Sequence, residues 1–149
     1  MTLLPATVRN LCKEQTWTFP DLLKADHQAG LELARVMAKA DDGDTARRTH
    51  KKLRAGLTAH SRAEEAVVYS ALKRLGNDKA LEMAHEGDVE HGLGDQLLAE
   101  LARGKPESPS WKAKAKVVLE LLDYHIEAEH SEMFTPIGTH FSPEQRNAG

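Results

Sequence analysis

The chain has 149 residues, 40% hydrophobic and 29% charged, and a formal net charge of -3 with its eight histidines counted neutral. That length and mix suit one soluble domain with its own core and exclude a disordered polyelectrolyte or a broadly basic nucleic-acid binder. A lone cysteine, Cys12, excludes an intrachain disulfide, and no apolar run is long enough to span a bilayer, so a soluble cytoplasmic protein without membrane or nucleic-acid partners is expected.

Residues 1–19 show no clear period and no signal-peptide pattern, and read as an extension that either packs on the domain through Leu11, Trp17 or Phe19 or stays partly mobile. Pro20 and Asp21 mark a helix start, and the first helix is expected to reach about Ala40 with Leu23, His27, Leu31, Ala34 and Met37 on its inner face. The 41–44 stretch DDGD is a turn, with Asp44 or Thr45 as the next cap. The second helix is expected to run unbroken to Leu75, its stripe being Leu53, Leu57, His60, Glu64, Val67, Ala71 and Leu75. Its basic residues Arg47, Arg48, Lys51, Lys52 and Arg54 read as a solvated face.

Gly76-Asn77-Asp78 ends that helix and caps a third, with Asp78 as the expected cap. The third helix runs to about Arg103 with Leu81, Ala84, Asp88, His91, Leu98 and Leu101 on one side. Gly87, Gly92 and Gly94 surround His91 and either admit close packing or leave space beside it. A Pro/Ser loop over 104–110 precedes a fourth helix, Ser110 to Met133, with Val118, Leu121, Leu122, His125 and Glu129 inward. Thr135-Pro136 breaks it, and a short tail follows. Four helices of similar length with short links predict an all-α, antiparallel up-and-down four-helix bundle spanning 20–137, between an extension (1–19) and a tail (138–149).

The inner stripes carry residues that do not belong in an apolar core. His60 and Glu64 stack one turn apart, as do His125 and Glu129, and His27 and His91 stand near the middle of the other two helices. Their depths agree. Counted from the shared turns at 1.5 Å per residue, His27 and His60 lie about 20 and 24 Å down, Glu64 and His91 about 17 and 20 Å, and His91 and His125 about 18 and 23 Å. Six polar groups at one level of a core are costly unless something satisfies them, either a metal or mutual hydrogen bonds in a metal-free bundle. His50 and His85 lie shallower, His140 falls in the tail, and His130 faces elsewhere unless the helix is distorted, so these four read as surface or supporting residues.

Imidazole and carboxylate without thiolate favour iron, manganese or zinc. Two glutamates, each a turn from a histidine, are placed to bridge two ions and to leave open positions for a small ligand. The Glu-x-x-His strings Glu82/His85 and Glu127/His130 would suit a ferritin-like carboxylate centre, but their depths do not match and its mid-helix glutamates are missing. Tyr69 reads as an ordinary packing residue beside the pocket.

The strings DLLKADH (21–27), AHSRAEEAVVYSAL (59–72), EH (90–91) and YHIEAEHSEMFTPI (124–137) resemble the hemerythrin HHE cation-binding domain. The resemblance implies a non-haem di-iron site, two iron ions per chain bridged by two carboxylates and an oxo or hydroxo group. It implies His27, His60, Glu64, His91, His125 and Glu129 as ligands. Oxygen-carrying members have His-x-x-x-His on the third helix, where this chain has Gly87 four residues before His91, and His-x-x-x-x-Asp on the fourth, where His130 stands here. The resemblance therefore points to the hemerythrin-like branch, which binds or reacts with oxygen, peroxide or nitric oxide in stress response or sensing, or handles iron without catalysis. Whether the chain is an enzyme stays open at this point. Glu65, His130 or water is expected to complete the coordination.

Overall fold

The computed structural model describes residues 19–133. Four helical rods pack in a ring, each against two neighbours. The first rod is α1 (Phe19–Lys39). The second is α2 (Gly43–Glu64), a π-helical turn (Glu65–Tyr69) and α3 (Ser70–Leu75) in unbroken succession. The third is α4 (Asp78–Arg103), and the fourth is α5 (Pro109–Ala128) continued by a second π turn (Glu129–Met133). No strand occurs among the described residues. The links, 40–42, 76–77 and 104–108, are too short to cross the bundle, so successive rods run antiparallel. The extension, apart from Phe19, and the tail lie outside the described residues, as do Cys12 and His140.

The links show why the rods begin and end where they do. Asp42, one of the turn acids but not Asp44 or Thr45, caps α2, accepting a hydrogen bond from the Thr45 amide at 2.7 Å. Gly76 closes the second rod at φ +70°, a left-handed conformation that glycine adopts without strain. Asn77, and not the expected Asp78, then caps α4 through the Ala80 amide, and Ser108 caps α5 through the Trp111 amide. A side-chain oxygen on a residue whose own backbone is extended is what the exposed first amides need, as at Asp42, Asn77 and Ser108; Asp78, already helical, sits in the first turn.

Two apolar clusters divide the interior. One gathers Leu31, Met37, Leu53, Leu98, Leu101, Trp111, Val118 and Leu122; the other gathers Leu23, Val68, Tyr69, Leu72, Met83 and Ala84. On the first three rods the two sets flank the inward histidines in sequence, so a polar layer lies between two dry ones. The expected inner stripe holds on the first rod but changes on the second. Past Glu64 the buried residues are Val68, Tyr69 and Leu72, while Val67 and Leu75 are more than a third exposed. The π turn is the cause: the Ser70 amide bonds back to the Glu65 carbonyl, five residues away, which shifts every later position round by about one residue. His50 is a second correction. It is buried, and its Nε2 lies 2.8 Å from the Leu98 carbonyl oxygen.

Candidate metal centre

His27, His60, Glu64, His91, His125 and Glu129 meet in the polar layer, all buried. Glu64 and Glu129 are at most 1% exposed. Each glutamate presents its two oxygens to different histidines. Glu64 Oε2 is 2.9 Å from His60 Nε2 and 3.4 Å from His27 Nε2, while its Oε1 is 3.2 Å from the Nε2 atoms of both His91 and His125. Glu129 repeats the division, with Oε2 3.0 Å from His27 Nε2 and Oε1 2.8 Å from His125 Nε2. His27, Glu64, His125 and Glu129 alone place one donor atom each within 4.8 Å of one another.

These separations suit an ion as well as they suit hydrogen bonds. Donors about 2.1 Å from one ion and at right angles lie about 3.0 Å apart. Hydrogen bonding leaves a remainder: His60 Nε2, Glu64 Oε2 and Glu129 Oε2 are buried and make no aligned hydrogen bond despite their close neighbours. Such atoms are rare in a core unless a cation takes up their lone pairs.

The outer ring nitrogens complete the pattern. His60 Nδ1 is 3.2 Å from Asp26, His91 Nδ1 is 2.9 Å from Glu65, and His125 Nδ1 bonds Glu90. His27 Nδ1 lies 3.1 Å from His130 Nε2. Every imidazole is thus gripped from behind, which fixes its ring and turns Nε2 to the centre. Metal-binding histidines are characteristically held in this way. Glu65 and His130, two of the three candidates for the remaining coordination, occupy these outer positions and not the inner donor set. The second π turn is the distortion that brings His130 round to His27.

Without a metal, the layer is a lattice of ion pairs. Burial alone would lower the His125 pKa, but bonds from Glu129, Glu64 and Glu90 outweigh it and lift it to about 12. Burial is likewise outweighed at His27, by Glu129 and Glu64, and at His91, by Glu64 and Glu65, so both are raised above 6.5. Burial pushes Glu64 up, and its bonds to four histidines hold it far below the usual carboxylate range instead. Tyr69 also joins the layer. It is fully buried, and its hydroxyl donates to Glu64 Oε1 at 2.9 Å and to Glu129 Oε1 at 3.0 Å. Burial and the two carboxylates raise its pKa well above the ordinary tyrosine value.

A family model described as the hemerythrin HHE cation binding domain matches residues 18–137. The chain belongs to this family. Among curated proteins it is 26% identical over 125 residues to an uncharacterized hemerythrin-like protein of Schizosaccharomyces pombe, covering 84% of this chain and 62% of that one. It is 23% identical over 137 residues to a DNA nickase of a Nostoc species, covering 89% of this chain and 37% of that one. The chain thus spans less than two thirds of either relative. No solved structure gives a significant match.

Gly87 is the position that the sequence resemblance set against a histidine of the oxygen carriers, and the structure shows what uses the space. A Cβ on Gly87 would lie 2.3 Å from both Cζ and Oη of Tyr69. The glycine is therefore the socket of the phenol head. Gly87→Ala is expected to destabilise the bundle by about 1–3 kcal/mol, the usual cost of overpacking a tight core, and to drive the Tyr69 hydroxyl off Glu64 and Glu129. Urea unfolding and the near-ultraviolet tyrosine signal check it; an unchanged midpoint would mean that the ring moves freely. His85 is exposed, as its shallow position implies.

Asp26, Glu65 and Glu90 are the supporting residues that the sequence reading did not assign as partners of the histidines. Asp26 and Glu90 each directly precede a histidine of the polar layer, which is the one signal that marks them. Glu90→Gln is expected to weaken metal binding about 10–100-fold by loosening His125, with little change in fold. Isothermal titration of the metal-free protein reads this directly.

Proposed function

We propose that this hemerythrin-like protein holds two iron ions in the polar layer and uses their open positions to bind or react with a small ligand: oxygen, nitric oxide or peroxide. The observation that carries this reading is the division of each glutamate between two sets of histidines. One set, His27 and His60, takes the Oε2 atoms; the other, His91 and His125, takes the Oε1 atoms. Glu64 and Glu129 would thereby each contribute to holding both ions and each imidazole to holding one, with the outer partners of the rings leaving Nε2 free to donate. Bound iron would supply redox chemistry and an open coordination position. A cavity of about 50 Å³ lies against all four imidazoles, walled by Leu57, Leu98, Val118 and Leu122. A water's share of liquid is about 30 Å³, so the space favours a diatomic or similarly small molecule over a larger substrate. A cytoplasmic role in oxidative stress or in sensing fits such a ligand.

Metal analysis with the visible spectrum of the aerobically purified protein tests the proposal. Two irons per chain are expected after loading, and fewer than one would refute it. Rapid mixing of the reduced protein with oxygen, peroxide and nitric oxide then separates binding from turnover.

A second reading, iron storage or donation, is favoured by a different feature. A cavity of about 370 Å³ reaches His125 and Glu129 and is lined by Glu86, Glu90 and Glu127. Its acidic walls suit passage of a cation. Iron transfer to an apo-protein, without reaction with any of the three small ligands, would select this reading. The nicking activity named for the Nostoc protein belongs to a chain of which this one spans 37% and is not carried over.

A further inference from the structure

We infer that the Ser61 hydroxyl sets which small ligand the polar layer accepts. It favours a two- or three-atom anion with a terminal acceptor atom, the class of hydroperoxide and azide, over neutral nitric oxide. This rests on the metal reading above and narrows it.

Three facts support it. First, Ser61 directly follows His60 on α2, is only 9% exposed, and makes no hydrogen bond among the described residues. A helical hydroxyl ordinarily meets its need by bonding a carbonyl about one turn back. Thr49 does so to Thr45 at 2.7 Å, Ser70 to Glu65 at 3.0 Å and Ser131 to Glu127 at 2.8 Å. Ser61 keeps its hydroxyl uncommitted although it is buried. Second, Ser61 lines the cavity of about 50 Å³ that lies against His27, His60, His91 and His125. Third, no other lining group has a proton to spare. The outer nitrogens of the imidazoles are engaged by Asp26, Glu65, Glu90 and His130, and the inner ones are the metal-facing donors of that reading. Glu90 and Asp95, the remaining polar lining residues, are carboxylates, which only accept. The rest of the wall is apolar.

A buried hydroxyl without a partner is costly, so a donor kept free beside the imidazoles favours whatever brings it an acceptor. Water can do so in the resting protein. A ligand that displaces water there must return the hydrogen bond or lose affinity. Azide and hydroperoxide offer a charged acceptor, and charge-assisted hydrogen bonds are roughly twice as strong as neutral ones. Nitric oxide is a neutral, weak acceptor and gains little. Ser61 donates its hydrogen bond without giving up the proton, so no bond breaks.

The test uses the full chain loaded with iron. Azide is the anionic probe for the air-oxidised form and nitric oxide the neutral probe for the reduced form, each titrated by visible absorption. Ser61→Ala is expected to weaken azide binding about 10–100-fold, the worth of one hydrogen bond to a charged group, and nitric oxide binding less than about 3-fold, with iron content unchanged. The metal-free Ser61→Ala protein should unfold in urea at the wild-type midpoint or above it, because the hydroxyl it loses bonds nothing in the fold. An unchanged ratio of azide to nitric oxide affinity would overturn the inference, whether both affinities are kept or both are lost. So would a lowered urea midpoint or a failure of Ser61→Ala to fold, since either shows the hydroxyl serving the fold. A wild-type chain that holds two irons but takes up no azide would overturn it and leave the metal reading standing; one that holds no iron would overturn both.

Discussion

Glu64→Ala is expected to strip both metal ions from the protein, whereas His60→Ala should loosen chiefly one. Glu64 faces His27 and His60 with one oxygen and His91, His125 and Tyr69 with the other. Its loss removes a donor from each position and the negative charge they share. The loss of affinity should exceed the roughly 10–100-fold seen when only a supporting residue of a metal site is changed. The metal-free bundle should also weaken, but by less than the roughly 3–5 kcal/mol of an orphaned buried charge, because the imidazoles can shed their protons. Glu64→Gln separates charge from shape: it keeps the volume and one oxygen, and should fail to hold metal almost as completely. Iron and zinc analysis of the three variants, with urea unfolding of their metal-free forms, reads the pattern. Equal loss of metal in Glu64→Ala and His60→Ala would count against the bridging role.

Metal binding should raise the melting temperature more in alkali than in acid, and the metal-free protein should behave oppositely. His27, His91 and His125 are raised above 6.5 in the folded state. Their contribution to stability is complete below that value and is lost as pH rises toward the folded values, about 12 for His125. Glu64 is held below its ordinary 4.5, so its contribution is present above that pH and disappears on acidification. The metal-free form is therefore most stable between these two ordinary values and declines on the alkaline side. A metal competes with the same protons for the imidazoles, so its affinity rises with pH. At a hundred times its dissociation constant, an ion adds about 2.7 kcal/mol, roughly 10 °C for a domain of this size. Thermal unfolding by circular dichroism, with and without metal at about pH 5.5 and about pH 8, measures both slopes. A metal shift that is constant with pH would show that binding does not displace protons from these histidines.

Much of the architecture was legible from periodicity. The apolar stripes located four rods, Gly76 marked a terminus, and the one-turn spacing of His60/Glu64 and His125/Glu129 placed acid and imidazole together on inner faces. Helical rise is constant, so counting residues from shared turns was enough to bring six side chains on four rods to one depth. The capping residues were misplaced by one to three positions because Asp, Asn, Ser and Thr crowd those turns, and only the local backbone decides which side chain meets an amide.

Departures from regular helix were invisible to a count that assumes 3.6 residues per turn. The π turn after Glu64 exchanged Val67 and Leu75 for Val68 and Leu72 in the core and turned Tyr69 from a packing residue into a partner of both glutamates. The one after Glu129 brought His130 to His27. Asp26, Glu65 and Glu90 look in sequence like any acidic residues on a helix flank, and only the neighbouring rod supplies the imidazole that gives each its role. The sequence by itself determined that four histidines and two glutamates share a layer of a helical bundle, because composition and period are properties of each helix alone. Tertiary structure decided which oxygen faces which histidine, what grips each ring from behind, and that Gly87 on one rod exists to admit Tyr69 from another. Those are relations between helices, and a local widening of one helix by a single residue is enough to set them.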